Sequence, residues 1–300
     1  MTTPTCCRVP ALARWLPLYL PLSLALAVAL PGCGGIGSVG EDVAGALIDG
    51  VVCGLRNCTE SSTLNIDEIS PRFTATQAAG DNAVVVEGGL GKSANVFTSV
   101  LMAPNEQLAV SVDGSPEVAM SNPDGKRLSY TTRLTARSTQ PVVQVVFTRG
   151  GVRHVSQVTL PTGFTVLQPA GAAQLTRTGA ALPVRLSMAT VGTATASASG
   201  TCTRTDGSSF TTQATGLNAR IEGSTAGAYR LEPTDVDEAL TATSRSFNNN
   251  DTRTPAVSRC ALTVTWTHAV QGSTPATMNR HGALLGQRTA THPLSYDAQL

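Results

Sequence analysis

The sequence predicts an all-β protein, and three of its features support this class. The chain is rich in threonine, serine, valine and glycine, and only 4% of its 300 residues are aromatic, a composition typical of strands with many turns. Apolar and polar residues alternate over short runs, which places them on opposite faces of a strand. Turn signals such as Asp113-Gly114 and Arg149-Gly150-Gly151 separate these runs. We therefore expect short strands joined by tight turns.

Residues 71–169 are predicted to form the first of two tandem domains. Within the run 107–112, Leu108, Val110 and Val112 alternate with polar or small residues, as in a half-buried strand. Seven such runs at this spacing favour an immunoglobulin-like β-sandwich. The runs are 73–77, 83–87, 97–102, 107–112, 128–136, 142–148 and 152–160, with a shorter signal at 164–167.

Residues 170–300 are predicted to form a second β-sandwich. Over 193–203, alanine, glycine and cysteine alternate with threonine and serine, and we expect the small face to be buried. Over 260–267 an apolar face ending in Trp266 opposes a threonine face, so Trp266 is expected in the core, packed against a disulfide. Residues 271–282 lack periodicity and are predicted to form an exposed loop.

Residues 1–32 have the order of parts found in a bacterial export signal. Arg8 and Arg14 precede an apolar run, 15–30, which contains two prolines and is shorter than the roughly 20 residues that a membrane span needs. The motif Leu30-Pro31-Gly32-Cys33 follows directly. It resembles the lipobox of bacterial lipoproteins, in which signal peptidase II cuts before a cysteine that carries lipid. Pro31 departs from the usual small residue, and the alternative is cleavage by signal peptidase I after Ala29.

Residues 33–70 are predicted to be a lipidated tether with a short helix. The segment 34–40 is rich in glycine, which is typical of a flexible spacer. Apolar residues then recur at helical spacing over 43–55, although three glycines weaken a helix there. Its polar side is acidic, so we expect this face to pack on the first domain and not on a membrane.

The cysteine count agrees with lipidation. After removal of the leader five cysteines remain, and a thioether at Cys33 would leave four that can pair in an oxidising compartment. Four cysteines allow three pairings, and we favour Cys53 with Cys58 and Cys202 with Cys260. The spacing of Cys53 and Cys58 does not match a C-x-x-C redox motif, and no histidine pair completes a zinc pattern in the sequence.

The charge balance argues against nucleic acid as a partner. The whole chain has 21 basic and 20 acidic residues, and loss of Arg8 and Arg14 with the leader leaves it nearly neutral. No basic stripe is present that would neutralise a phosphate backbone.

Sequence motifs for chemistry are weak. The segment 87–93 ends in Gly91-Lys92-Ser93, but Val86 stands where a P-loop needs its first glycine, so a glycine-rich hairpin loop is expected. No serine lies in a G-x-S-x-G elbow, and no H-E-x-x-H is present. The acidic residues of 232–238 do not match a calcium loop and favour a short capped helical turn. The sequence therefore predicts no catalytic residue, no metal and no cofactor.

The chain as a whole resembles uncharacterised proteobacterial surface lipoproteins in which a lipobox and a tether precede β-rich modules. The resemblance depends on 30–33 and on strand-and-turn phrases such as 109–114 and 158–161. It implies a lipid-anchored cell-envelope protein, and Gly34 in place of a retention aspartate favours the outer membrane over the inner. We expect a non-catalytic binding or scaffolding role toward a protein or glycan. The alternatives are an envelope hydrolase with a dispersed serine and histidine site, for which His154 and His281 are candidates, and a structural subunit of an envelope complex.

Overall fold

The computed structural model describes residues 57–299, which belong to one compact unit. The predicted leader, Cys33, Cys53 and the short helix predicted at 43–55 lie outside the described residues. Two single-turn 3-10 helices, Ser61–Thr63 and Ile66–Glu68, and one α-helix, α1 (Pro233–Ser246), accompany the strands of this region. The strands are β1 (Asn57–Glu60), β2 (Ile69–Ala78), β3 (Ala83–Lys92), β4 (Asn95–Leu101), β5 (Gln107–Val112), β6 (Val118–Ala119), β7 (Tyr130–Thr135), β8 (Val142–Arg149), β9 (Val152–Thr159), β10 (Val166–Gln168), β11 (Ala173–Thr176), β12 (Leu182–Leu186), β13 (Ala194–Arg204), β14 (Ser209–Leu217), β15 (Ala219–Ile221), β16 (Ala228–Leu231), β17 (Val257–Gln271) and β18 (Ala283–Asp297).

The all-β prediction is confirmed, and each of the eight strand signals in the first half corresponds to a strand. The signal at 107–112 matches β5, and those at 142–148 and 152–160 differ from β8 and β9 by one residue at the C-terminal end. The short strands β1 and β6 were not predicted, because four and two residues are too few to show alternation.

A ten-stranded sheet runs through the whole described body. Its main order is β1-β4-β3-β2-β18-β17-β13-β14, with β7 paired to β3 and β11 paired to β18. The parallel pairing of β18 with β2 joins strands from both sides of residue 170. The strands before and after residue 170 therefore share one sheet. The predicted domain limits, 71–169 and 170–300, stay predictions.

Two smaller sheets pack on this large sheet and enclose two hydrophobic cores. The first core lies between β2–β4 and the sheet β6-β5-β8-β9, and includes Ile69, Val84 and Val110. The second core lies between β13, β14, β17 and β18 on one side and α1 with the sheet β10-β12-β16-β15 on the other. This arrangement gives the sandwich-like layers that the alternation predicted.

The glycine-rich segment 87–92 is part of strand β3, so the predicted hairpin loop there is wrong. The outer neighbour of β3 changes in this segment, from β7 up to Gly88 to β4 from Leu90 onward. A Cβ on Gly88 would lie 2.1 Å from the carbonyl oxygen of Arg72, and one on Gly89 would lie 2.4 Å from that of Leu128. The glycines therefore permit close approach of backbones at a crowded change of partner.

The short helical turn predicted at 232–238 is in fact a 14-residue helix. Pro233 occupies its first turn, where a missing N–H costs nothing. Val236, Leu240 and Ser244 recur every four residues and are the face that α1 buries against the second core. Within residues 57–299 no helix has the length and apolarity required to cross a bilayer.

Candidate functional site

The disulfide predicted between Cys202 and Cys260 is present. The two residues lie directly opposite each other on β13 and β17, with their Cα atoms 4.0 Å apart. The bond therefore links neighbouring strands of one sheet and does not join two sheets. Cys58 is also disulfide-bonded, and its predicted partner Cys53 lies outside the described residues.

Trp266 is fully buried, as predicted, but it does not pack against the disulfide. Cys260 is six residues away on the same strand, which corresponds to about 20 Å. The ring that contacts Trp266 belongs to Tyr229 of the opposite sheet, with ring centroids 5.0 Å apart. The immunoglobulin arrangement expected for this tryptophan is therefore wrong.

The two histidines proposed for a hydrolase are held in different surroundings. His154 is buried on β9, where its Nδ1 lies 2.8 Å from the hydroxyl of Thr277. Burial, followed by the charge of Arg149, lowers its pKa. His281 is exposed in the loop after Gly272, and its backbone N–H donates to the side chain of Asn279. In the region 57–299 neither ring is hydrogen-bonded to a serine or a carboxylate, so the structure does not bring the predicted hydrolase residues together.

Three of the acidic residues near the start of α1, Glu232, Asp235 and Asp237, are paired with arginines. Asp235 accepts two hydrogen bonds from Arg220 and one from Asn218. The hydrogen bond from Arg220 is the largest influence and holds the pKa of Asp235 below its ordinary value. Asp237 pairs with Arg177. Among the described residues no group of three or more histidine, cysteine or carboxylate side chains could hold a metal ion.

A buried cation, Arg288, lies at the junction of the two cores. It lies on β18 opposite His268 of β17 and is only 7% exposed. Its Nε donates to the carbonyl of Pro161 at 2.9 Å, and its Nη2 donates to that of Thr139 at 2.5 Å. In residues 57–299 no carboxylate lies within ion-pair distance of it. Burial lowers the pKa of Arg288 from its ordinary value.

A cavity of about 170 Å³ adjoins this guanidinium. We call the cavity and Arg288 together the junction site. The backbone N–H of Thr165 donates to the hydroxyl of Ser187 at 2.9 Å, which places two small polar side chains at the wall. The lining residues are Ala78, Ala79, Gly80, Asp81, Gly163, Phe164, Thr165, Ser187, Arg288 and Thr289.

A second candidate is the outer edge of β14. This nine-residue strand ends the large sheet, and within the part of the chain described no strand pairs with its outer side. Its outward residues are uncharged, and the exposed ring of Phe247 lies 5.9 Å from the ring of Phe210 at one end of the strand. An unpaired edge of this kind presents free backbone donors and acceptors.

Comparisons with known proteins leave the function open. No family model and no curated protein matches the chain. Among solved structures, the chain is similar to the I9–I11 tandem of titin, at 9% identity and a TM-score of 0.21. The match covers 75% of this chain and 65% of that chain, so it spans less than two thirds of the titin tandem. A likeness at this level does not define a shared fold, and the fold class stands on the strands and sheets themselves.

Proposed function

We propose that this chain is a lipid-anchored protein of the bacterial cell envelope with a non-catalytic binding role toward a protein partner. The motif ending in Cys33 supports the anchor. The free edge of β14 is the observation that carries the binding role, because an extended segment of a partner can add to such an edge as a further strand.

The pairing of β13 indicates which peptide groups of β14 are free. Cys202 and Cys260 form the closely spaced kind of antiparallel pair, in which the two residues do not exchange backbone hydrogen bonds. The peptide groups of Cys202 therefore point toward Phe210, its partner on β14. Those of the next residue, Thr211, then point outward and are available to a partner.

The edge also has features that favour a specific partner over aggregation. The pairing of β13 and β14 shifts between Ala198 and Gly200, so Gln213 and Ala214 form a bulge that interrupts a flat edge. The free segment 209–212 is therefore short, and its exposed side chains are serine and threonine. A partner strand would obtain main-chain hydrogen bonds there and an aromatic contact at Phe247.

A pair of substitutions at Thr211 tests the binding role. A photo-crosslinking residue is placed at Gln213, which is exposed on β14, in the full chain expressed in a diderm bacterium. Thr211→Pro removes an outward N–H and should abolish a discrete envelope adduct, whereas Thr211→Val keeps the N–H and should retain it. An adduct that is unchanged by Thr211→Pro in a folded protein would refute addition at this edge.

The anchor has its own test, the intact mass of the protein purified from membranes. We expect a chain that starts at Cys33 and carries acyl groups, with a gain of about four hydrogens on reduction for two disulfides. Cys33→Ala should remove the acyl mass. An unlipidated chain that starts at Leu30 would show a released protein, and the partner would then be sought away from the membrane.

A further inference from the structure

We propose that the junction site binds a small oxyanion, a carboxylate or a phosphate-type group, through the guanidinium of Arg288. The two sources share one chemistry, a pair of negatively charged oxygens presented to a fork of N–H donors. This site is independent of the edge of β14 and of the lipid anchor.

Arg288 carries a buried positive charge. A buried guanidinium needs compensation by an opposite charge, because carbonyl dipoles alone replace only part of its hydration. Ten described basic side chains pair with carboxylates, as Arg220 does with Asp235. Arg72 and Arg204, which are more exposed than Arg288, donate only to carbonyl and hydroxyl oxygens. Arg288 has only the carbonyls of Pro161 and Thr139. Among residues 57–299, therefore, no carboxylate neutralises the charge of Arg288.

The N–H groups of Arg288 that the two carbonyls do not use include a pair at one end of the guanidinium. A guanidinium has five N–H groups in a planar fork. The side formed by Nε and Nη2 is used by the two carbonyls, which leaves the end formed by Nη1 and the second N–H of Nη2. Two donors in that arrangement match two oxygens of one carboxylate or phosphate.

The cavity provides space for an anion beside these N–H groups of Arg288. A Cβ built on Gly163 would lie 3.7 Å from Nη1 of Arg288, and Gly163 lines the cavity. Nη1 therefore lies at the cavity wall. At about 170 Å³ the cavity is far larger than a single water needs. The hydroxyls of Thr165 and Ser187 lie 3.2 Å apart and hydrogen-bond each other, so one of the two can also donate to a bound anion.

The one carboxylate at the wall, Asp81, is already engaged. Its Oδ1 accepts the N–H of Ala83 at 2.9 Å, and its Oδ2 pairs with Arg133 at 2.7 Å. The hydrogen bond from Ala83 contributes most to a lowered pKa at Asp81. Arg133 therefore offsets the negative charge of Asp81 at the mouth of the cavity.

The test measures thermal unfolding of the full chain with sodium acetate or sodium phosphate, against sodium chloride at equal ionic strength. Either anion at ten times its Kd should raise Tm by about 3–6 °C, and at equal concentrations the larger rise identifies the preferred source. Arg288→Met should abolish the rise. Arg259→Met should retain it, because Arg259 is exposed and pairs with Asp297 away from the cavity.

A second variant covers the case in which Arg288→Met fails to fold. Gly163→Ala adds a methyl group at ordinary contact distance from Nη1 and leaves the arginine in place. It should weaken binding of the preferred anion at least several-fold by isothermal titration. Binding that is unaltered in Gly163→Ala, or the absence of any rise specific to acetate or phosphate in the folded wild-type chain, would overturn the proposal.

Discussion

Two regions of the molecule hold an arginine in opposite ways, one half-buried and one buried. Arg149, at the end of β8, donates to Glu106 at 2.5 Å, to the carbonyl of Leu64 at 2.9 Å and to the carbonyl of Ser61. Glu106 also accepts the hydroxyl of Ser61 and the N–H of Ala103. Its carboxylate is therefore fully used inside the protein, and we call this group the Glu106 pair.

The junction site also holds an arginine, but no described carboxylate pairs with it. Arg288 is held by two carbonyls and adjoins a cavity, whereas Arg149 is held by a carboxylate that is 2% exposed. The contrast shows that the fold provides a buried counter-charge, Glu106, for the half-buried Arg149 beside the first core. At the junction, the remaining donors of Arg288 have no acceptor among residues 57–299, and our proposal assigns them to a ligand.

The largest effect should follow from breaking the Glu106 pair. Glu106→Gln leaves Arg149 without a negative partner, and removal of one member of a buried pair costs about 3–5 kcal/mol. Urea unfolding should show this as a fall in the free energy of unfolding. Glu117→Gln is the matched control, because its pair with Arg153 is exposed and worth about 1 kcal/mol or less. Equal losses in the two variants would contradict the structural role of Glu106.

A covalent link should have a comparable effect in the second core. The bridge between Cys202 and Cys260 closes a separation of 58 residues, and loss of that constraint on the unfolded chain costs about 4 kcal/mol. The double variant Cys202→Ala with Cys260→Ala should show this loss in urea. Because Cys58 is also disulfide-bonded in both chains, reducing agent should destabilise the wild-type chain more than the double variant.

Converting the junction site into a copy of the Glu106 pair should have a smaller effect and the opposite sign. Ser187→Asp places a carboxylate at the wall of the cavity that Arg288 lines. It should raise the free energy of unfolding by about 1 kcal/mol and eliminate the response to acetate and phosphate. Ser187→Asn has the same shape without the charge and should do neither. If both variants have the same free energy of unfolding and the same response to anions, a negative charge at this wall does not interact with Arg288.

The strands were predictable because their burial repeats every two residues. The small face of β13, including Ala196, Ala198 and Cys202, is buried as the alternation indicated. The parallel pairing of β18 with β2 was not predictable, since it joins residues about 210 positions apart and local periodicity contains no information about distant partners. The shared sheet follows from that pairing.

One residue of the junction site stands out in the sequence, although it was not among the predicted site residues. Arg288 stands on the inward face of β18, in register with the buried residues Leu284, Ala290 and Leu294. An arginine at an apolar position of a strand is rare unless it is paired. The cavity beside it could not be predicted, because its walls come from four separate segments of the chain.

The smallest effect should distinguish the two regions by pH. His154 lies near Arg149, and His268 lies opposite Arg288; burial lowers the pKa of both, and the charge of Arg149 lowers that of His154 further. The unfolded chain takes up protons near pH 6.5 while these folded sites stay neutral. Stability should therefore be fully present above pH 6.5 and fall as the pH drops through the folded pKa values. His154→Gln and His268→Gln should each make the free energy of unfolding depend less on pH, as measured by urea unfolding between pH 7 and 5.

An anion bound at the junction site should also distinguish the two histidines. Bound acetate or phosphate should make His268 easier to protonate, because the anion offsets the charge of Arg288, and should leave His154 unchanged. An equal response of the two histidines in NMR titrations would show that the anion acts on the whole protein and not at the junction.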